Sequence, residues 1–250
     1  MKRRMEINGL LVEAEYSDKT VETIFLPLLS GLCRMQRELG RRLIVFLAAP
    51  PATGKSTLVK FLAGLSRERP ELIPVTAAGM DGFHHYQEYL LSHTVFRDGE
   101  EIPMTLVKGA PVSFDLEAFR KRLFRIRTEK VCPWPEYNRK IHDPVDNAVW
   151  MEGDLVIIEG NYLLLDEEGW RDLKHDADYT IRILAKEEDV RERLVWRRAG
   201  NGVPLEEARY MVESNDLPNV RLCMERSVEG DITLRLEEDG NYTYVSGRWP

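Results

Sequence analysis

The residues Ala49-Pro50-Pro51-Ala52-Thr53-Gly54-Lys55-Ser56 have the types and spacing to hold a triphosphate. A loop that wraps and then becomes a helix N-terminus aims several backbone N–H groups, and the positive end of the helix dipole, at phosphate oxygens. Gly54 permits close backbone approach, Lys55 can extend its ammonium to the outer phosphates, and the Ser56 hydroxyl can ligate Mg²⁺. Pro51, Ala52, Thr53, Gly54, Lys55, Ser56 and Thr57 are therefore the expected nucleotide-binding residues. Ala49 stands where the usual pattern has its first glycine, a small residue for a small residue. The competing account is a glycine-broken helix start with a surface lysine.

Two carboxylates and two arginines could complete such a site. Asp81 follows the apolar run Ile73–Met80, and in an open parallel sheet the ligand crevice lies at the carboxyl ends of the strands. It can orient a substrate hydroxyl and accept its proton; as an N-cap or turn aspartate it would do neither. Glu159 closes Asp-Leu-Val-Ile-Ile-Glu-Gly-Asn-Tyr, where a carboxylate can hold a water of the Mg²⁺ or the Ser56 hydroxyl. Arg193 and Arg197 are one helical turn apart and can close over a transferred phosphoryl group, although Glu187 with Arg191 and Asp189 with Arg193 also read as ordinary helix pairs.

The elements that must position these groups can be read from periodicity. Leu43–Ala49 is apolar without interruption, a strand buried on both faces, and Leu58, Phe61, Leu62 and Leu65 then recur at helical spacing. Further strands are expected at Ile73–Met80, Asp154–Tyr162 and Asp178–Leu184, with helices opening at Ser113-Phe114-Asp115, Lys186 and Pro204. The predicted fold is α/β, a doubly wound parallel sheet of P-loop NTPase type with flanking helices and small β-hairpins at the termini. Asn8-Gly9 marks the N-terminal hairpin and Asp239-Gly240 the C-terminal one. Ser17 or Asp18 caps a helix that Pro27 bends and Gly40 ends, and this front segment reads as packing support. Glu88–Pro111, with Asp98-Gly99, reads as a loop or short hairpin near the site mouth. Val131–Trp150, rich in proline and aromatic residues, reads as a stiff substrate-contacting loop carrying Tyr137, Arg139 and His142. A lone histidine beside an aspartate is more often a hydrogen-bonded surface group than a ligand, and no histidine pair has zinc-site spacing.

Composition narrows the function. A formal net charge of −7 argues against nucleic acid as main partner. The basic N-terminus lacks an apolar run behind it, and no run approaches membrane-span length. The three cysteines, Cys33, Cys132 and Cys223, show no metal or redox spacing, which fits a cytoplasmic protein.

Taken together, APPATGKSTL, MDGFH at 80 to 84, EGNYLLL at 159 to 165 and RERLVWRR at 191 to 198 resemble the P-loop kinase group of uridine kinases, bacterial pantothenate kinases and phosphoribulokinases. KGAPVSFDLEAF at 108 to 119 and PEYNRKIHDP at 135 to 144 add a closer likeness to bacterial nucleoside/nucleotide-kinase-like proteins, some associated with sugar uptake. The resemblance implies ATP- and Mg²⁺-dependent phosphorylation of a small molecule's hydroxyl on a nucleoside, a sugar or a pantothenate-like polyol. Asp81 matches the catalytic aspartate, Lys55 and Ser56 the phosphate and metal residues, Glu159 the second acidic position, and Arg193 and Arg197 the lid arginines. Phe83, His84, Tyr137, Arg139, His142 and Asn161 are the expected substrate contacts. One kinase domain is expected over 1–250: N-terminal support at 1–41, core at 42–226 with a lid near 191–203, and a C-terminal hairpin at 227–250. A homodimer is compatible with this reading. The first forty residues have no counterpart in typical uridine kinases. The rivals are a nucleotide-dependent switch or regulatory ATPase without a small-molecule acceptor, whose GTPase version is weakened by the lack of an Asn-Lys-x-Asp motif, and an interaction module that retains the loop.

Overall fold

The computed structural model describes residues 1–97 and 99–250. The turn expected at Asp98-Gly99 thus lies partly outside the described residues. At the centre is a six-stranded sheet in the order β12-β11-β10-β3-β9-β4. Its strands are β3 (Leu43–Ala48), β4 (Val75–Gly79), β9 (Leu155–Gly160), β10 (Tyr179–Leu184), β11 (Ile232–Leu236) and β12 (Tyr242–Gly247). All neighbours run parallel except β12, which is antiparallel to β11.

The uninterrupted apolar runs have a direct cause. Side chains alternate across a strand, so a sheet covered on both faces needs apolar residues at every position. Leu43, Val45 and Leu47 of β3 enter one core with Leu155 and Ile157, while Ile44, Phe46 and Ala48 enter the other with Val156 and Ile158. Fully burying each large aliphatic or aromatic side chain contributes about 1.5–3 kcal/mol. The first core is covered by helix α1, which runs through Asp18–Thr20, a π-type turn Val21–Phe25 and Leu26–Leu39, and by α2 (Lys55–Arg67). Ser17 caps α1 by accepting from the Thr20 N–H, and Gly40 ends it with φ +66° in the left-handed region. The second core is covered by the helix Leu116–Thr128, capped by Asp115, and by the ribbon of β7 (Cys132–Asn138) and β8 (Asp143–Met151).

Three readings need refinement. Val131–Trp150, expected as a loop, is mostly that antiparallel ribbon: Trp134 is fully buried and its indole donates to the Gly79 carbonyl at 2.9 Å. Prolines tolerated on edge strands hid the alternation. Glu88–Pro111, expected as a loop or short hairpin, holds all but the first residue of a short helix, Gln87–Ser92, and a hairpin of β5 (Thr94–Arg97) and β6 (Glu100–Pro103). The C-terminal hairpin extends the central sheet through β11, whereas the N-terminal hairpin, β1 (Lys2–Ile7) and β2 (Leu10–Glu15), forms its own two-stranded sheet.

Candidate active site

The strand β3 delivers its chain end into the loop, where the Ala49 N–H donates to the Gly160 carbonyl at 3.2 Å and anchors the loop to β9. Thr53 is buried and its hydroxyl donates to the Pro50 carbonyl at 2.8 Å, bracing the loop from inside. Ala52 and Gly54 both take positive φ, +60° and +80°. At Gly54 a Cβ would meet nothing within 4 Å, so conformation and ligand approach, not crowding, call for glycine. The helix α2 begins at Lys55, so the first-turn N–H groups of Lys55, Ser56 and Thr57 have no intrahelical acceptor and are presented at the loop.

Glu159, the penultimate residue of β9, pairs in register with Gly79 of β4 and with Leu47 of β3. Its Oε1 accepts from the Ser56 hydroxyl at 2.6 Å and its Oε2 lies 4.0 Å from the Lys55 ammonium. Asp81 stands in the 3₁₀ turn Met80–Phe83 that follows β4. Gly82 lets this turn press on the ribbon: a Cβ there would come within 2.2 Å of the Pro135 carbonyl. The turn sends neighbouring side chains in opposite directions. Phe83, expected at the substrate, is instead buried between Phe119 and Trp134 with centroids 5.0 and 4.9 Å away, because the turn rotates it into the second core. His84 stays at the site; its Nδ1 lies 2.8 Å from the Asp81 carbonyl and its ring packs on Phe114 and Tyr137.

The electrostatics divide the two acids. Burial pushes the Asp81 carboxyl up, but Lys55, His84, Arg139 and Arg197 outweigh it and hold the group below the usual carboxylate range. Burial lifts Glu159 above that range against the pull of Lys55, with the Asp81 charge adding to the rise. Burial also depresses His84, against the pull of Asp81, and raises Tyr137 to about 12. Among the described residues three buried oxygens lack hydrogen-bond partners: Asp81 Oδ1, Glu159 Oε2 and Asn161 Oδ1. Such orphans are costly unless a cation, water or hydroxyl completes them. The Ser56 hydroxyl and Glu159 carboxylate are hard oxygen donors of the kind Mg²⁺ takes. Among the described residues no cluster of three or more His, Cys, Asp or Glu could form an all-protein metal cage.

Two cavities meet here. An inner one of about 170 Å³ is lined by Lys55, Asp81, His84, Tyr137, Arg139 and Asn161, among others. An outer one of about 820 Å³ shares Lys55, Tyr137, Arg139 and Arg197 with it and adds Thr57, His142 and Arg193. Arg193 and Arg197 thus reach the site from the helix Glu187–Gly200, and the Asp189–Arg193 pair does not form among the described residues. Glu187 does bind Arg191, at 3.1 Å. His142, at the tip of the ribbon, is exposed with φ +57°. Pro51 and Ala52 line the inner cavity from the loop side. A third cavity of about 440 Å³, more apolar, opens at the carboxyl ends of β3, β10 and β11 and shares Asn161.

Sequence reasoning missed several wall residues. Lys108 donates to Gln87 Oε1 and to the His142 carbonyl, both at 2.9 Å, and Asn219 lines the inner cavity. Asn8, at the N-terminal turn, lines the outer cavity, so the front segment does more than pack. A lysine before Gly-Ala-Pro in a substrate-side segment offered a signal for Lys108. Nothing local marked Asn8.

Comparison with known proteins places this arrangement. No protein-family profile matches the chain. It is 37% identical over 247 residues to the uncharacterized YggC of Escherichia coli (strain K12), covering 98% of this chain and all of that one. It is 31% identical over 201 residues to a Schizosaccharomyces pombe protein named "Putative uridine kinase C227.14", covering 78% of this chain and 83% of that one. Among solved structures, a "putative fructose transport system kinase" from Silicibacter sp. TM1040 superposes with a TM-score of 0.72 at 31% identity, covering 82% of this chain and 98% of that one.

Proposed function

The chain belongs to the uridine kinase-like P-loop kinases, and on that premise we propose that it moves the γ-phosphoryl group of ATP to a hydroxyl of a small molecule. The observation that carries this reading is Lys55: its buried ammonium lies 4.0 Å from Glu159, which is hydrogen-bonded to Ser56, and its charge acts on Asp81, which lines the inner cavity and keeps one buried oxygen without a hydrogen-bond partner.

In this reading Asp81 accepts the acceptor's hydroxyl proton as the acceptor oxygen bonds to the γ-phosphorus. The bond from that phosphorus to the β–γ bridging oxygen breaks and ADP departs; the proton on Asp81 then passes to solvent. Loop N–H groups and Lys55 hold the triphosphate, and Arg193 and Arg197 cover the transferred group and exclude water. Ser56 and Glu159 would hold Mg²⁺, which when bound neutralises charge on the phosphate oxygens. The whole of 1–250 works as one domain in this proposal, supported by strand pairing of β11 with β10 and by the N-terminal turn on the cavity wall. The test is ADP release with and without nucleosides, sugars and pantothenate. Acceptor-stimulated release that disappears in Lys55→Ala is the expected result; acceptor-independent release unchanged by every compound sinks the reading in favour of a switch.

A further inference from the structure

We propose that the acceptor is an anionic polyol, carrying a carboxylate or a phosphate monoester, and that Arg139 grips its charged group. The inference rests on the kinase reading and adds the class of acceptor.

The site holds more positive charge than a triphosphate tail and its lid require. Lys55, Arg193 and Arg197 serve the nucleotide in the reading above, yet Lys108, Arg139 and Lys140 also line these cavities, from the ribbon and the segment before Leu116–Thr128. Lys108 is engaged by Gln87 and the His142 carbonyl, and the Asp143 charge supports it. Arg139 is different. Its guanidinium makes no hydrogen bond or ion pair among the described residues, although its field reaches Asp81, Glu159, His84 and Tyr137. It lines both cavities together with Arg197, a like charge. A guanidinium beside another cation gains from a counter-charge, and a bidentate anion supplies one.

The backbone holds this arginine in place. The Arg139 N–H donates to the Asn8 carbonyl at 3.2 Å, where the N-terminal turn meets the ribbon. Asn8 is itself buried with φ +53°, and at Gly9 an added Cβ would approach Asn138 Oδ1 to 3.2 Å, so the two turns interlock. Asp81 and Arg139 line the same inner cavity. One molecule can therefore place a hydroxyl on the carboxylate and an anionic group on the guanidinium. A neutral nucleoside or free sugar would offer Arg139 hydrogen-bond acceptors but no counter-charge.

The experiment compares matched acceptors in ADP release: D-glycerate against glycerol, pantothenate against panthenol, ribose 5-phosphate against ribose. The expected result is stimulation by an anionic member and not by its neutral partner, the carboxylate and phosphate arms separating the two sources of charge. Arg139→Ala should raise KM for that acceptor roughly 10- to 100-fold while KM for ATP stays near wild type, and Arg139→Lys should fall between them. Acceptor KM in the wild type should also climb with NaCl, an independent reading should the alanine variant fold poorly. Neutral members that serve equally well or alone overturn the anion inference and leave the kinase reading standing. So does a KM for ATP that rises as much as that for the acceptor, which assigns Arg139 to the triphosphate. Stimulation by no compound of either set overturns both.

Discussion

Two aspartates at opposite ends of the central sheet show how structural and chemical roles separate. Asp178, just before β10, accepts from Arg41 at 2.8 Å, from Arg127 at 3.3 Å and from the Ile44 N–H at 2.9 Å. Asp81, just after β4, keeps one buried oxygen with no partner. Burial raises both carboxyls and neighbours bring both down, but by different means. At Asp178 hydrogen bonds from Arg41 and the Ile44 N–H head the opposing causes, and at Asp81 the charges of Lys55, His84, Arg139 and Arg197 act through space. A saturated carboxylate is a clamp between strand ends. An unsaturated one is poised to take a proton or a ligand, and the fold tolerates its cost because the surrounding cations keep it ionised.

This contrast can be broken in graded ways. The largest effect is expected from Lys55→Ala, which removes the ammonium whose charge acts on both site acids: acceptor-stimulated turnover should fall below roughly one-thousandth of wild type, measured as ADP release at ordinary ATP. Asp81→Asn should lower kcat by about 10²- to 10⁴-fold with nucleotide affinity retained, checked by steady-state kinetics beside a nucleotide-binding titration. An unchanged rate returns Asp81 to a turn-forming role. Asp178→Asn should do the reverse, costing about 1–3 kcal/mol in denaturant unfolding with activity per folded molecule preserved. It should cost more stability than Asp81→Asn, since Asp81 Oδ1 has no hydrogen bond to lose.

The sign with pH follows from the depressed carboxyl of Asp178. Its folded value lies below the unfolded one, near 3.9, so its contribution is complete above about pH 4 and lost as pH falls through the folded value. The wild-type minus Asp178→Asn stability difference should therefore shrink on acidification; a constant difference contradicts the clamp. The smallest effect is expected from Gly9→Ala, which forces a side chain into φ +80° against Asn138 and should cost about 1 kcal/mol. If the N-terminal turn positions Arg139, acceptor KM should rise a few-fold with ATP KM unmoved.

Much of this site was legible in the chain. The buried strand, tight loop and helix at Leu43–Arg67 announce themselves because each rests on local rules: alternation filled on both faces, a glycine at positive φ and a helical apolar stripe. Asp81 and Glu159 could be named because strand ends in a parallel sheet face one crevice. Phe83 could not be separated from His84, since adjacent residues in a 3₁₀ turn share composition cues and only the packing of Phe119 and Trp134 selects which one turns inward.

The sequence by itself determined which residues could handle phosphate, and the strands and helix that carry them, because propensity, periodicity and capping act over a few neighbours. Tertiary structure alone decided that residues 132–151 form a ribbon, that β11 and β12 join the central sheet, and that Asn8 meets Arg139. Those contacts join segments distant along the chain. Their registry comes from mutual burial and hydrogen bonding across the folded molecule, which no local pattern records.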